Sequence, residues 1–168
     1  MASVLLQGKA VALSGEFPEV GGQALDFLLV NKKLKDVSLQ TFSGRKKLIY
    51  SVPSLDTPVC ATTTKKLNEL AAKSPDLAVL VVSADLPFAM GRFCGSEKLK
   101  NLVPLSTMRS AQFATDYGLL ISEGPLAGLL ARALLVLDEA NNIVFARLTD
   151  DIASEPDFDA ALAAVVED

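Results

Sequence analysis

Cys60 ends the string Pro53-Ser54-Leu55-Asp56-Thr57-Pro58-Val59-Cys60 and opens a polar, helix-compatible run, a setting in which a thiol is reactive rather than packing material. The run 61–73 has leucines at 67 and 70, threonines at its start and lysines among them, which predicts an amphipathic helix with Cys60 in its first turn. First-turn amides and the positive end of the helix dipole stabilise a thiolate there. Pro58 suits the first turn, and Thr57 suits the N-cap with its hydroxyl held close to the sulfur. The chain has no histidine, which excludes a Cys-His dyad, a Ser-His-Asp triad and a histidine metal site. A cysteine phosphatase needs an arginine six positions after its nucleophile, where Lys66 stands. Activation of the thiol therefore falls to backbone amides, hydroxyls, arginine or lysine.

The pattern Pro-x-x-x-Thr-x-x-Cys is also the active-site motif of the peroxiredoxins, and PSLDTPVC resembles that of their thiol peroxidase subfamily. The resemblance continues in order through SADLPFAMGRFCG with Cys94, SAQFATDYG, GPLAGLLARALLVLD with Arg132, and EPDFDAAL. Two departures stand out: Ala24-Leu25-Asp26-Phe27 where the family often has Ala-Pro-Asp-Phe, and Asn141-Asn142 at a turn that often carries glycine. Neither touches the proposed chemistry.

The resemblance implies a thioredoxin-like α/β fold and a peroxidase of the atypical two-cysteine type. Cys60 would be the peroxidatic nucleophile, oxidised by a hydroperoxide to a sulfenic acid. Cys94 would resolve it by forming an intramolecular disulfide, and thioredoxin would reduce that disulfide. Thr57 would hydrogen-bond the thiolate and the peroxide, Pro53 would shield the sulfur from water, and Arg132 would sit beside the thiolate and lower its pKa. A homodimer is the family's usual assembly, and the apolar loop around Pro125 to Leu130 offers a contact for it. No metal, haem, flavin or other cofactor is implied.

Each residue also has a plainer reading. Cys60 and Cys94 can be packed thiols, Thr57 a simple cap and Pro53 a turn residue. Arg132, alone in the apolar stretch LAGLLARALLVL, needs some partner because burying its charge unpaired is costly, and an acid would serve. Lys65, Lys66, Arg92 and Arg109 read as solvated surface, as does the Arg45-Lys46-Lys47 cluster at a strand end. Arg92 draws interest because it lies two residues before Cys94. A thioredoxin-fold disulfide exchanger is disfavoured by the absence of a Cys-x-x-Cys pair; a redox-sensing binding module would use the same disulfide switch without turnover.

Composition sets the outer bounds. The 168 residues suit one domain spanning 1–168. Half of them are hydrophobic, yet no apolar run approaches the roughly 20 residues of a membrane helix. A charge of -4 argues against a nucleic-acid or anionic-membrane surface. Residues 1–6 lack the pattern of a secretory signal, so a cytoplasmic location is expected. Two cysteines in a chain of this length are more often catalytic or buried than structural staples.

The element pattern predicts an N-terminal β-hairpin (4–6 and 10–13), a loop over 14–22, and strands at 27–30 and 37–41 with a turn at 31–36. The strand 47–52 leads into the Pro53 loop and the Cys60 helix. Leu77 to Ser83, continuously apolar and β-branched, predicts a central strand buried on both faces with helices above and below. A marginal helix holding Cys94 follows, weakened by Gly91 and Gly95. Then come a short strand at 102–106, a helix at 110–117, strands at 133–138 and 143–148, and a last helix at 157–166 with Ser154 and Pro156 ahead of it. The βαβ unit, hairpin and final helix make a thioredoxin-like order, a central mixed sheet flanked by helices.

Overall fold

The computed structural model describes residues 2–166, and for 58–61 the backbone alone. In chain order the strands and helices are β1 (Ser3–Leu6), β2 (Lys9–Ser14), β3 (Leu29–Asn31), β4 (Asp36–Val37), β5 (Lys46–Ser51), α1 (Pro58–Lys73), β6 (Leu77–Ser83), α2 (Pro87–Ser96), β7 (Val103–Ser106), α3 (Gln112–Asp116), β8 (Leu120–Ile121), β9 (Ala133–Leu137), β10 (Ile143–Leu148) and α4 (Phe158–Val166). A seven-stranded sheet runs β10-β9-β5-β6-β7-β3-β4, and a three-stranded sheet β1-β2-β8 stands beside it. β5, β6 and β7 are parallel, while β9 and β3 flank them antiparallel. This is the mixed sheet of a thioredoxin-like fold.

Strand periodicity divides the core. Leu48 and Tyr50 of β5, Val79 and Val81 of β6, and Leu134 and Val136 of β9 face one cluster, with Leu67 and Ala71 of α1, Met90 and Cys94 of α2, and Ala161 of α4. Ile49, Leu80, Val82 and Leu135 face the other, with Phe113 and Tyr117 at α3 and Leu13 from the N-terminal hairpin. All seven residues of β6 are buried, as a strand covered on both faces requires. Three helices cover one face; the other is covered by the five-residue α3 and the small sheet rather than by long helices.

Three expectations are corrected. The strand expected at 37–41 ends at Val37, and Leu39–Phe42 form a 3-10 turn. The Ser38 amide donates to Thr41 Oγ1 at 3.0 Å and the Leu39 amide to Asp26 Oδ1 at 3.1 Å, so side chains take the groups a strand would offer a neighbour. Lys47 is fully buried rather than solvated, and its Nζ donates to Asn141 Oδ1 at 2.6 Å. Burial lowers its pKa, and the nearby Asp138 carboxylate opposes that shift. The unusual Asn141 thus has two uses: it adopts φ 67° in the turn and supplies the acceptor a glycine would lack. At α4 the capping oxygen is Asp157 Oδ1, which accepts the Ala160 amide at 3.1 Å, in place of Ser154.

Candidate active site

Sheet register gathers the site. β5 and β6 are parallel with Ser51 opposite Val82, β6 and β7 are parallel with Ser83 opposite Ser106, and antiparallel β9 starts with Ala133 opposite Ser51. The Pro53 loop, the Asp85 segment ahead of α2, and Arg132 ahead of β9 therefore emerge at one end of the sheet. Carboxyl ends of parallel strands are where α/β sheets place their ligand sites.

Pro53 is buried in that loop. Thr57 stands at the N-cap of α1 with extended backbone (φ -91°, ψ 149°), and Pro58 follows at the first helical position. The expected side-chain cap is not made; Thr57 Oγ1 donates instead to the Ser54 carbonyl at 3.2 Å. Neither a Thr57 oxygen nor an acidic side chain occupies the first turn, which keeps the helix start electropositive for an anion. Cys60 is the third residue of this helix; its side chain, and hence the expected approach of Thr57 and Arg132 to its sulfur, lies outside the described residues.

Arg132 is 2% exposed. Its Nε donates to the Ile152 carbonyl at 2.9 Å and its Nη1 to Tyr50 Oη at 2.7 Å. These two bonds orient the guanidinium within the site. Tyr50, on β5, is itself fully buried and braced edge-on by Phe158, with ring centroids 5.7 Å apart.

Cys94 is a free, buried thiol on α2, in one apolar cluster with Tyr50, Val52, Met90, Leu99 and Leu102. Burial raises its pKa, partly opposed by the Lys32 charge. The packed helix therefore favours the protonated thiol; that preference is complete below the ordinary thiol pKa and is lost as pH climbs above it toward the raised value. Sequence predicted a marginal helix here. Ten residues form it, and its end is closed by the Leu99 amide donating to the Cys94 carbonyl at 2.8 Å and the Lys98 amide to the Gly95 carbonyl at 3.3 Å.

A cavity of about 570 Å³ opens between the Pro53 loop and α2, lined by Thr57, Asp85, Arg92 and Phe93 among others. Arg92 is exposed there, as expected of a solvated side chain. Arg109 binds the Leu34 carbonyl at 2.8 Å, and Lys65 pairs with Glu97 at 3.0 Å between α1 and α2. Sequence reasoning missed Tyr50 and Asp85. The signal for Tyr50 was a phenol inside an apolar strand, which must find a hydrogen-bond partner when buried; for Asp85 it was a carboxylate beside two small residues at the end of a buried strand.

Known proteins of the same architecture bear out the resemblance. Residues 17–162 match the Redoxin family. A thiol peroxidase of Corynebacterium glutamicum is 47% identical over 165 residues, 98% of this chain and 99% of that one. The crystal structure of a peroxiredoxin-like protein from Aquifex aeolicus superimposes with a TM-score of 0.93 at 39% identity, covering 99% of this chain and 97% of the other. A thiol peroxidase from Chromobacterium violaceum follows at 0.89 and 29%, covering 98% and 95%. With a helix-start cysteine, a buried arginine and a second thiol on the neighbouring helix, carried by a sheet that these proteins share from end to end, the chain belongs to the redoxin family and, within it, to the thiol peroxidases.

Proposed function

We propose that this protein reduces hydroperoxides with Cys60 as nucleophile and Cys94 as resolving thiol, and that thioredoxin returns it to the dithiol. The Cys60 thiolate bonds to one peroxide oxygen as the O–O bond breaks; the bonding pair leaves with the other oxygen, which takes up a proton as water or an alcohol. The Cys94 thiol then gives up its proton and attacks the Cys60 sulfenic sulfur, forming the disulfide and releasing water. Thr57 and Arg132 align the peroxide and hold charge on thiolate and leaving oxygen, and Pro53 excludes water.

The observation that carries this reading is the buried Arg132 guanidinium, held by Tyr50 and Ile152 at the end of the sheet where the Cys60 helix begins. Soluble cytoplasmic enzyme and homodimer belong to the same reading; no helix among the described residues is long and apolar enough to cross a membrane. The loop proposed for the dimer contact is a weak support. Leu130 is buried and Leu126 and Leu129 pack against the core of their own chain, whereas Leu86 and Phe88, 56% and 71% exposed, offer more apolar surface.

The test is peroxide consumption with a thioredoxin system. Wild type is expected to consume many equivalents, Cys60→Ser none, and Cys94→Ser about one before stalling as a sulfenic or further oxidised acid. Equal loss of the first turnover in both variants would refute the division of roles. A wild type that reacts once and stops would make it a redox sensor.

A further inference from the structure

The loop ahead of α1 is tied across the site to the segment that starts α2. Asp85 Oδ1 accepts a hydrogen bond from Ser54 Oγ at 2.8 Å, and Asp85 Oδ2 accepts from the Leu55 amide at 2.8 Å and from Ser83 Oγ at 2.7 Å. Two of these three donors belong to the loop that carries Pro53 and Thr57. Ser54 passes the constraint along: its Oγ accepts the Asp56 amide at 3.1 Å and its carbonyl accepts Thr57 Oγ1 at 3.2 Å. On the opposite side the Asp85 carbonyl accepts Ser106 Oγ at 2.6 Å and the Asp85 amide donates to Ser83 Oγ at 3.2 Å, which pins the residue to the ends of β6 and β7. α2 begins two residues later at Pro87.

Hydrogen bonds to an ionised carboxylate are the stronger kind. Leu55 is 3% exposed and Ser83 is fully buried, so removing the carboxylate leaves donors with little access to water. The ties run between the loop ahead of α1 and the segment ahead of α2, and among the described residues Asp85 joins the α1 side of the site through Ser54 and Leu55.

We propose that Asp85 is a positioning residue of this site, a latch that holds the Pro53–Thr57 loop ahead of α1 closed for the peroxide step and sets how readily it is released for disulfide formation. The proposal rests on the roles given above to Cys60 and Cys94. A latch has a signature that a merely fold-stabilising carboxylate lacks: it pulls the two half-reactions in opposite directions. Attack on peroxide needs Thr57 and its loop in place, so a loosened loop slows it. Disulfide formation needs the loop or helix to open, so a loosened loop speeds it.

Single-turnover kinetics with hydrogen peroxide, following peroxide loss and disulfide formation separately in the full chain, tests this. Asp85→Ala is expected to slow the peroxide step roughly tenfold, the scale of losing buried hydrogen bonds, while disulfide formation becomes severalfold faster. Asp85→Asn, which keeps one acceptor oxygen, should fall between that variant and wild type. Ser54→Ala should move both steps in the same directions by less, and should add less than its own effect to Asp85→Ala because the two share one network. Both steps slowing in parallel with the melting temperature, or neither changing, would overturn the latch. If Asp85→Ala does not fold, Asp85→Asn and Ser54→Ala decide by the same criterion. A wild type that forms no Cys60–Cys94 disulfide would defeat the proposed function instead; the peroxide step then decides alone, a slower rate at unchanged melting temperature supporting the latch and an unchanged rate removing it.

Discussion

Arg132 is the residue at which burial and chemistry meet. Hiding a guanidinium costs several kcal/mol unless hydrogen bonds satisfy it, and Tyr50 Oη and the Ile152 carbonyl supply two of them. A charge held this way needs no reorganisation when negative charge develops nearby. Arg132→Met is therefore expected to slow the peroxide step by roughly tenfold or more, the scale of losing one charged donor. Tyr50→Phe removes one of the acceptors that orient it and should cost less, by roughly severalfold. Rapid-mixing rates read beside melting temperatures check this, and wild-type rates in both variants would remove Arg132 from the site. Arg132 was legible in sequence because a cation inside LAGLLARALLVL has no cheap place to go. Its orienting partner was not, since nothing in sequence pairs positions 50 and 132, which the β5–β9 register brings together.

Among the elements, α2 stands out for carrying two glycines inside a ten-residue helix. Among the described residues, a Cβ placed on Gly91 or Gly95 would meet nothing within 4 Å, and neither has a positive φ, so no described packing or turn demands glycine there. At Gly118, by contrast, φ is +63° and a Cβ would lie 2.3 Å from the Phe17 amide nitrogen. The α2 glycines thus cost helix stability with no structural return, about 0.5–1 kcal/mol each relative to alanine. Lys98, at φ 58° in the closing turn, adds strain at the other end. Gly91→Ala and Gly95→Ala are each expected to slow disulfide formation by roughly two- to fivefold with the peroxide step unchanged. Quenched-flow alkylation of Cys94 measures it, and an unaltered disulfide rate would mean that α2 does not open. The glycines led the sequence reading to a marginal helix, whereas the structure holds a complete one, with Met90 and Cys94 buried against the sheet.

For the molecule as a whole, the two thiol-bearing segments lie at the margin of a sheet whose centre is closed on both faces. β6 is wholly buried, and its neighbours β5 and β7 pair with it along their lengths. Oxidation should thus disturb that margin and spare the centre. Hydrogen exchange on reduced and oxidised protein is expected to change over 88–99 and 59–64 while 77–83 stays protected. Identical exchange in the two states, or loss of protection in β6, would mean that the disulfide forms without local opening or only through global unfolding.

What the sequence determined by itself was local. Pro58 after Thr57 sets where α1 starts, and the apolar, β-branched run 77–83 reads as the buried strand it forms; each follows from the preferences of a few adjacent residues. Long-range pairings were decided by the tertiary structure. The burial of Lys47 against Asn141, the hold of Tyr50 on Arg132 and the ties of Asp85 to Ser54 and Leu55 join residues 94, 82 and about 30 positions apart. Polar groups have no periodicity that names their partners. Only when the hydrophobic faces close the sheet, and fix its register, do these donors meet their acceptors.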